Sequence, residues 1–121
     1  MVAADHGLPF GKLTSMASLE EQRRYMIGAT KNNYLLPEEL LHDASDFCRM
    51  TRLDRLAPTV TAPQRAAVEA LEAALDAHDD SWMSNYADMA LDDLVERDSR
   101  WIQTRIQAGR VLAAFGQPVP P

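Results

Sequence analysis

The sequence predicts an all-α protein, a small bundle of four to five helices with short flexible tails at both ends. Three observations predict it. Apolar residues recur at three-and-four spacing across most of residues 19–115, helix-start signals precede several of these stretches, and no segment alternates apolar and polar residues as a half-buried strand does. A chain of 121 residues suits one domain, residues 1–121, able to bury a core without staples, with an ordered part of about 15–116.

The first helix is predicted from about Leu19 to Lys31. Ser18 and Glu21 have capping-box spacing, Tyr25, Met26 and Ala29 make a buried stripe, and Asn32-Asn33 ends it. Glu20 lies four residues before Arg24, a favourable surface pair. A second helix begins at Pro37, where the missing N–H costs nothing, and runs to Arg52 or Leu53. A third follows Thr61, whose spacing to Gln64 is again that of a capping box, with Val68, Leu71, Leu75 and His78 on its apolar side. A short helix near 82–90 then runs into, or kinks before, a long one ending at Phe115, and the polar patch at 96–100 weakens the period as a break would. Acids early and arginines late in that stretch favour continuity through the polar patch at 96–100. Gly116 and the prolines after it stop the last helix. The first dozen residues and the last five are expected to be tails.

The formal charge of −6 disfavours nucleic acid as a partner, and Arg49, Arg52 and Arg55, interrupted by Asp54, are too sparse for a phosphate-binding stripe. No run of about eighteen apolar residues is present, so no membrane span is expected. The opening residues lack the pattern of a signal peptide, and a single cysteine suits a reducing compartment, so the expected location is cytoplasmic.

The densest set of potential ligands is PEELLHDASDFC, residues 37–48. At about 100° per residue Leu41, Ala44, Cys48 and Thr51 share one side of the helix, flanked by Leu40 and Phe47, while Glu39, His42, Asp43 and Asp46 share the other. Glu39, His42 and Asp46 are candidate metal ligands, because Glu-x-x-His spacing occurs in di-iron bundles and His42 with Asp46 is a one-turn chelate. No second Glu-x-x-His exists, and the four polar groups lie opposite the apolar stripe rather than towards a core. The favoured reading is a solvated face without metal. Asp88, Asp92 and Glu96 also stack on one face, but Asp93–Arg97 and Glu96–Arg100 spacing favours surface ion pairs over acid–base work. Cys48 reads as a small buried hydrophobe, and no catalytic residue or cofactor is expected.

What remains is a binding surface. Residues 58–80 hold Glu69, Glu72, Asp76, Asp79 and Asp80 against Arg65 alone, and these acids form a face that can steer a basic partner. Trp82 and Tyr86 lie close by in sequence as candidate interface anchors. The expected function is a non-enzymatic, acidic, protein-binding module, an inhibitor of the immunity or antitoxin type being one form of it. Two alternatives are a metal-dependent enzyme or sensor built on Glu39, His42 and Asp46, and a structural subunit whose segments GLPFGKL and GQPVPP dock on neighbours. A homo-oligomer is compatible with either.

Overall fold

A computed structural model of the protein describes residues 7–78 and 89–121. Among these residues are six α-helices and no strand: α1 (Gly11–Ala17), α2 (Leu19–Gln22), α3 (Pro37–Met50), α4 (Ala62–Asp76), α5 (Leu91–Arg97) and α6 (Ser99–Ala114). None is long and apolar enough to cross a membrane. Helix α1 packs on both α3 and α6, α4 lies along α6 and α3, and α5 rests on the turn that follows α2.

Helix α1 corrects the expectation of an N-terminal tail through residue 12. Leu8, Leu13 and Met16 are buried, and Phe10 stands 5.6 Å from the rings of both Phe47 and Phe115. The 88° edge contact between Phe47 and Phe115 completes an aromatic cluster that joins α1, α3 and the end of α6. The last residues are also folded onto the body. The Pro121 carbonyl accepts from Ser18 Oγ at 2.9 Å and from the Glu20 N–H at 3.1 Å, and a Cβ at Gly109 would come within 3.3 Å of Val119. Leu8, Phe10 and Pro121, which belong to the segments expected to dock on neighbouring subunits, dock here within the chain.

Ser18 separates α1 from α2 and caps the latter by accepting from the Glu21 N–H. Only that half of the capping box forms, since the Glu21 carboxylate accepts from Ser15 Oγ instead. After Gln22 the backbone widens into a π-helical turn, Arg23–Ile27, closed by a Gly28 N–H bond to the Arg23 carbonyl five residues back. A Cβ at Gly28 would meet the Arg24 carbonyl at 2.9 Å, so glycine is what lets the chain close this tightly. The helix therefore stops short of the predicted Lys31, and Ala29, assigned to its buried stripe, is exposed. Tyr25, whose carbonyl no longer has a helical partner, accepts from Leu35 at 2.8 Å and fixes the returning loop.

Helices α3 and α4 match their sequence signals. Pro37 opens α3, both bonds of the Thr61–Gln64 capping box form at α4, and Arg65 donates to the Thr51 carbonyl and hydroxyl beyond the end of α3. The long C-terminal helix is divided. Asp98 is extended, and its Oδ1 accepts from the Trp101 N–H, so it ends α5 and caps α6 where continuity was expected. At the far end Gly116, at φ +74°, lets the Gly116 and Gln117 N–H groups return to Ala113 and Leu112. The short helix expected near 82–90 falls mostly outside the described residues, and α5 begins after it at Leu91.

Candidate functional site

The polar face of α3 is solvent-facing and occupied by ion pairs. Lys12 reaches Asp43 at 3.2 Å, and Arg49 reaches Asp46 at 2.5 Å. His42, three-quarters exposed, lies 3.5 Å from Asp46, while Glu39 is exposed. Arg49 and Lys12 already sit beside Asp46, one of the two carboxylates that a metal would need. No group of three His, Cys, Asp or Glu side chains among the described residues has the geometry to hold one.

The α4 face is less acidic than its sequence. Arg52, from the segment after α3, holds the Glu72 carboxylate in a two-pronged contact at 2.5 and 3.0 Å, and its charge also meets that of Glu69. Arg65 was expected to be the sole offset on this face. Its guanidinium instead turns to Thr51, and Arg52 supplies the neutralising charge. Asp76 is exposed at the helix end. Asp79, Asp80, Trp82 and Tyr86 lie outside the described residues, as does Asp88.

Groups with chemical potential inside the molecule are held by the fold. Cys48 lies at a groove of about 450 Å³ between α3 and α4, where burial, reinforced by the Glu72 charge, pushes its thiol up to about 12. It stays protonated at neutral pH and is a poor nucleophile. His78 Nε2 meets Thr104 Oγ1 at 2.8 Å, and its ring stands edge-on to Trp101. Burial lowers the imidazole from its ordinary value, with the nearby Asp98 charge opposing. Trp101 is fully buried and donates its indole N–H to Gln22 Oε1 at 3.0 Å. Arg105 donates to the same oxygen and to the Val95 carbonyl, while Gln22 Nε2 serves the Ser15 and Met16 carbonyls. Leu94 is buried in the same core as Trp101, whereas Ile106 is 40% exposed.

Geometry singles out a surface that the sequence reading passed over. The loop from Ala29 to Pro37 and the start of α5 enclose a cleft of about 600 Å³ lined chiefly by Tyr34, Leu35, Leu36, Met89 and Leu91. Tyr34 is 56% exposed, Leu36 37% and Leu91 36%, so three of the large apolar residues that face solvent converge on it. Both walls hang from the π-helical turn. Leu35 is tied to the Tyr25 carbonyl, and α5 is clamped by Glu96, which takes Arg23 in two contacts of 2.6 and 2.7 Å rather than the Arg100 that its spacing suggested. The hydrogen bond to Arg23 holds the Glu96 carboxyl below its usual range. The sequence signal for this site was the run Tyr34-Leu35-Leu36, three apolar residues in a segment with no helical or strand period, of which Leu35 packs against the core. Comparison of the chain with known protein families, with curated proteins and with solved structures finds no match.

Proposed function

We propose that the chain is a non-enzymatic helical module that binds a partner protein, with the cleft between residues 29–37 and the start of α5 as its contact surface. An inhibitor of the immunity or antitoxin type, working in the reducing cytoplasm that a lone buried thiol suits, is the form this reading favours. The convergence of Tyr34, Leu36 and Leu91 on one open apolar cleft carries the proposal. Scattered exposed apolar residues are ordinary, but contiguous ones around a concavity are what a partner's side chain would cover. The described titratable groups support the same reading. Cys48 is held as a thiol, His78 is engaged with Thr104, and Asp43, Asp46 and Glu72 are engaged with Lys12, Arg49 and Arg52.

A photo-crosslinker placed by Tyr34→p-benzoylphenylalanine tests the proposal in the native host. A discrete protein adduct is expected, and Leu91→Ser in the same chain should diminish it. Crosslinking no stronger or more discrete than from Arg55→p-benzoylphenylalanine, beyond the opposite end of α3, would overturn the assignment of this surface.

A further inference from the structure

The apolar cleft does not end at its apolar lining. Glu38 forms part of its wall and also lines a second hollow, of about 490 Å³, whose other walls are Glu39, His42 and Asp43. One carboxylate thus joins an apolar recess to an acidic one. On the other side of the cleft the first turn of α5 adds Asp92 and Asp93 beside Leu91, with Asp93 paired to Arg97. Among the described residues around the two hollows, Glu38, Glu39, Asp43, Asp92 and Asp93 stand against Lys31, Lys12 and Arg97, so the rim is acidic on balance.

Resting on the proposed binding role, we infer that the occupant is a basic amphipathic segment of another protein, with an apolar side chain seated among Tyr34, Leu36 and Leu91 and a neighbouring Lys or Arg on the Glu38 and Glu39 side of the hollow, beside the Asp43 that Lys12 already holds. Charge selects this occupant over others. A second copy docking the same face would bring one net-acidic rim against another, an arrangement that charge disfavours. Nucleic acid and anionic lipid meet the same repulsion. A basic segment gains twice, because the carboxylates steer its approach and the cleft removes its apolar side chain from water. The basic partner expected from the acids of α4 is thereby assigned to a different face, at the N-terminal end of α3.

Two fluorescein-labelled amphipathic peptides of about four helical turns, one of leucine and lysine and one of leucine and glutamate in the same pattern, serve as probes for the intact protein. The lysine peptide should bind about tenfold or more tighter than the glutamate peptide, increasingly so as salt is lowered. It should shift the backbone amide resonances of residues 34–42 and 91–93. Leu36→Ser with Leu91→Ser should weaken it about tenfold, and Glu38→Gln with Glu39→Gln about threefold to tenfold. Loss in the leucine variant with no change in the glutamine variant would overturn the basic occupant while leaving the cleft as a binding surface. Binding of the lysine peptide that is indifferent to Leu36 and Leu91 would overturn both, as would failure of the lysine peptide to bind. Self-association of the protein alone, abolished by Leu36→Ser with Leu91→Ser, would assign the cleft to a second copy and overturn the inference.

Discussion

Around Trp101 the fold takes polar groups out of water and gives them partners. The indole N–H meets Gln22, Gln22 also serves Arg105 and two backbone carbonyls, and Thr104 holds His78. Between residues 29 and 37 the same chain does the reverse and leaves Tyr34 and Leu36 half in water beside Leu91. The two regions answer to different demands. An unmatched buried polar group costs about 1–3 kcal/mol, so stability alone accounts for the care taken around Trp101. An apolar group left in water adds nothing to folding. Its convergence with two others on a cleft is what the proposed partner would cover.

The largest test of this contrast applies one kind of measurement to both regions. Trp101→Ala should cost on the order of 3–5 kcal/mol in chemical denaturation, since it empties a fully buried site and strips Gln22 of a donor. Leu36→Ser with Leu91→Ser should cost less, about 2 kcal/mol by the same measurement, because both side chains already keep about one-third of their surface in water and no buried polar group loses a partner. A Trp101→Ala variant as stable as the parent, or a serine variant that unfolds, would reverse the roles assigned to the two regions.

A smaller effect probes the buried side through pH. An unfolded thiol ionises near 9, whereas Cys48 holds its proton to about 12, so between those values the folded state carries the extra proton. Stability conferred by a raised pKa is complete below 9 and is lost as pH climbs towards 12. Raising the pH from 8 to 10.5 should therefore remove on the order of 1–2 kcal/mol, and Cys48→Ala should flatten that slope. An equal alkaline slope in both proteins would mean that the Cys48 thiol is open to solvent. His78 acts in the opposite window. Its lowered pKa means the unfolded state takes up the proton first, so its share of stability is present above 6.5 and declines as pH falls below it.

How much of this was readable from sequence varied with the range of the interaction. Helices α3 and α4 were legible because Pro37 and the Thr61–Gln64 pair are local signals and because their apolar stripes run for several turns. Helix α1 spans Gly11–Ala17, too short for a period to stand out, and it forms because Leu13 and Met16 are covered by residues distant in sequence. At Asp98 two local rules competed. The charge gradient argued for continuity, whereas the aspartate had the side chain of an N-cap, and the cap prevailed. The partner of Glu96 was misjudged because Arg23, 73 residues away, offers a two-pronged contact that an i,i+4 neighbour did not displace. Of the candidate site, the apolar run at 34–36 was visible in sequence. Its meeting with Met89 and Leu91 was not, since that depends on the turn at Gly28 and the clamp from Glu96.

The smallest expected effect decides on which side of the contrast the polar face of α3 belongs. His42 is three-quarters exposed, and its contact with Asp46 is a 3.5 Å surface pair to a carboxylate that Arg49 already holds at 2.5 Å. Exposed pairs of this kind contribute little, because two flexible side chains must be held in place and water screens the attraction. His42→Ala should therefore change stability by no more than about half a kcal/mol, and the melting temperature of the parent should not respond to zinc. A metal site would behave otherwise. Ligands held only in the folded state turn binding energy into folding energy, so zinc would raise the melting temperature and His42→Ala would abolish the rise. That outcome would move Glu39, His42 and Asp46 from a hydrated rim to a metal centre. It would also require Asp46 to give up Arg49, a rearrangement visible as loss of the guanidinium contact when zinc is added.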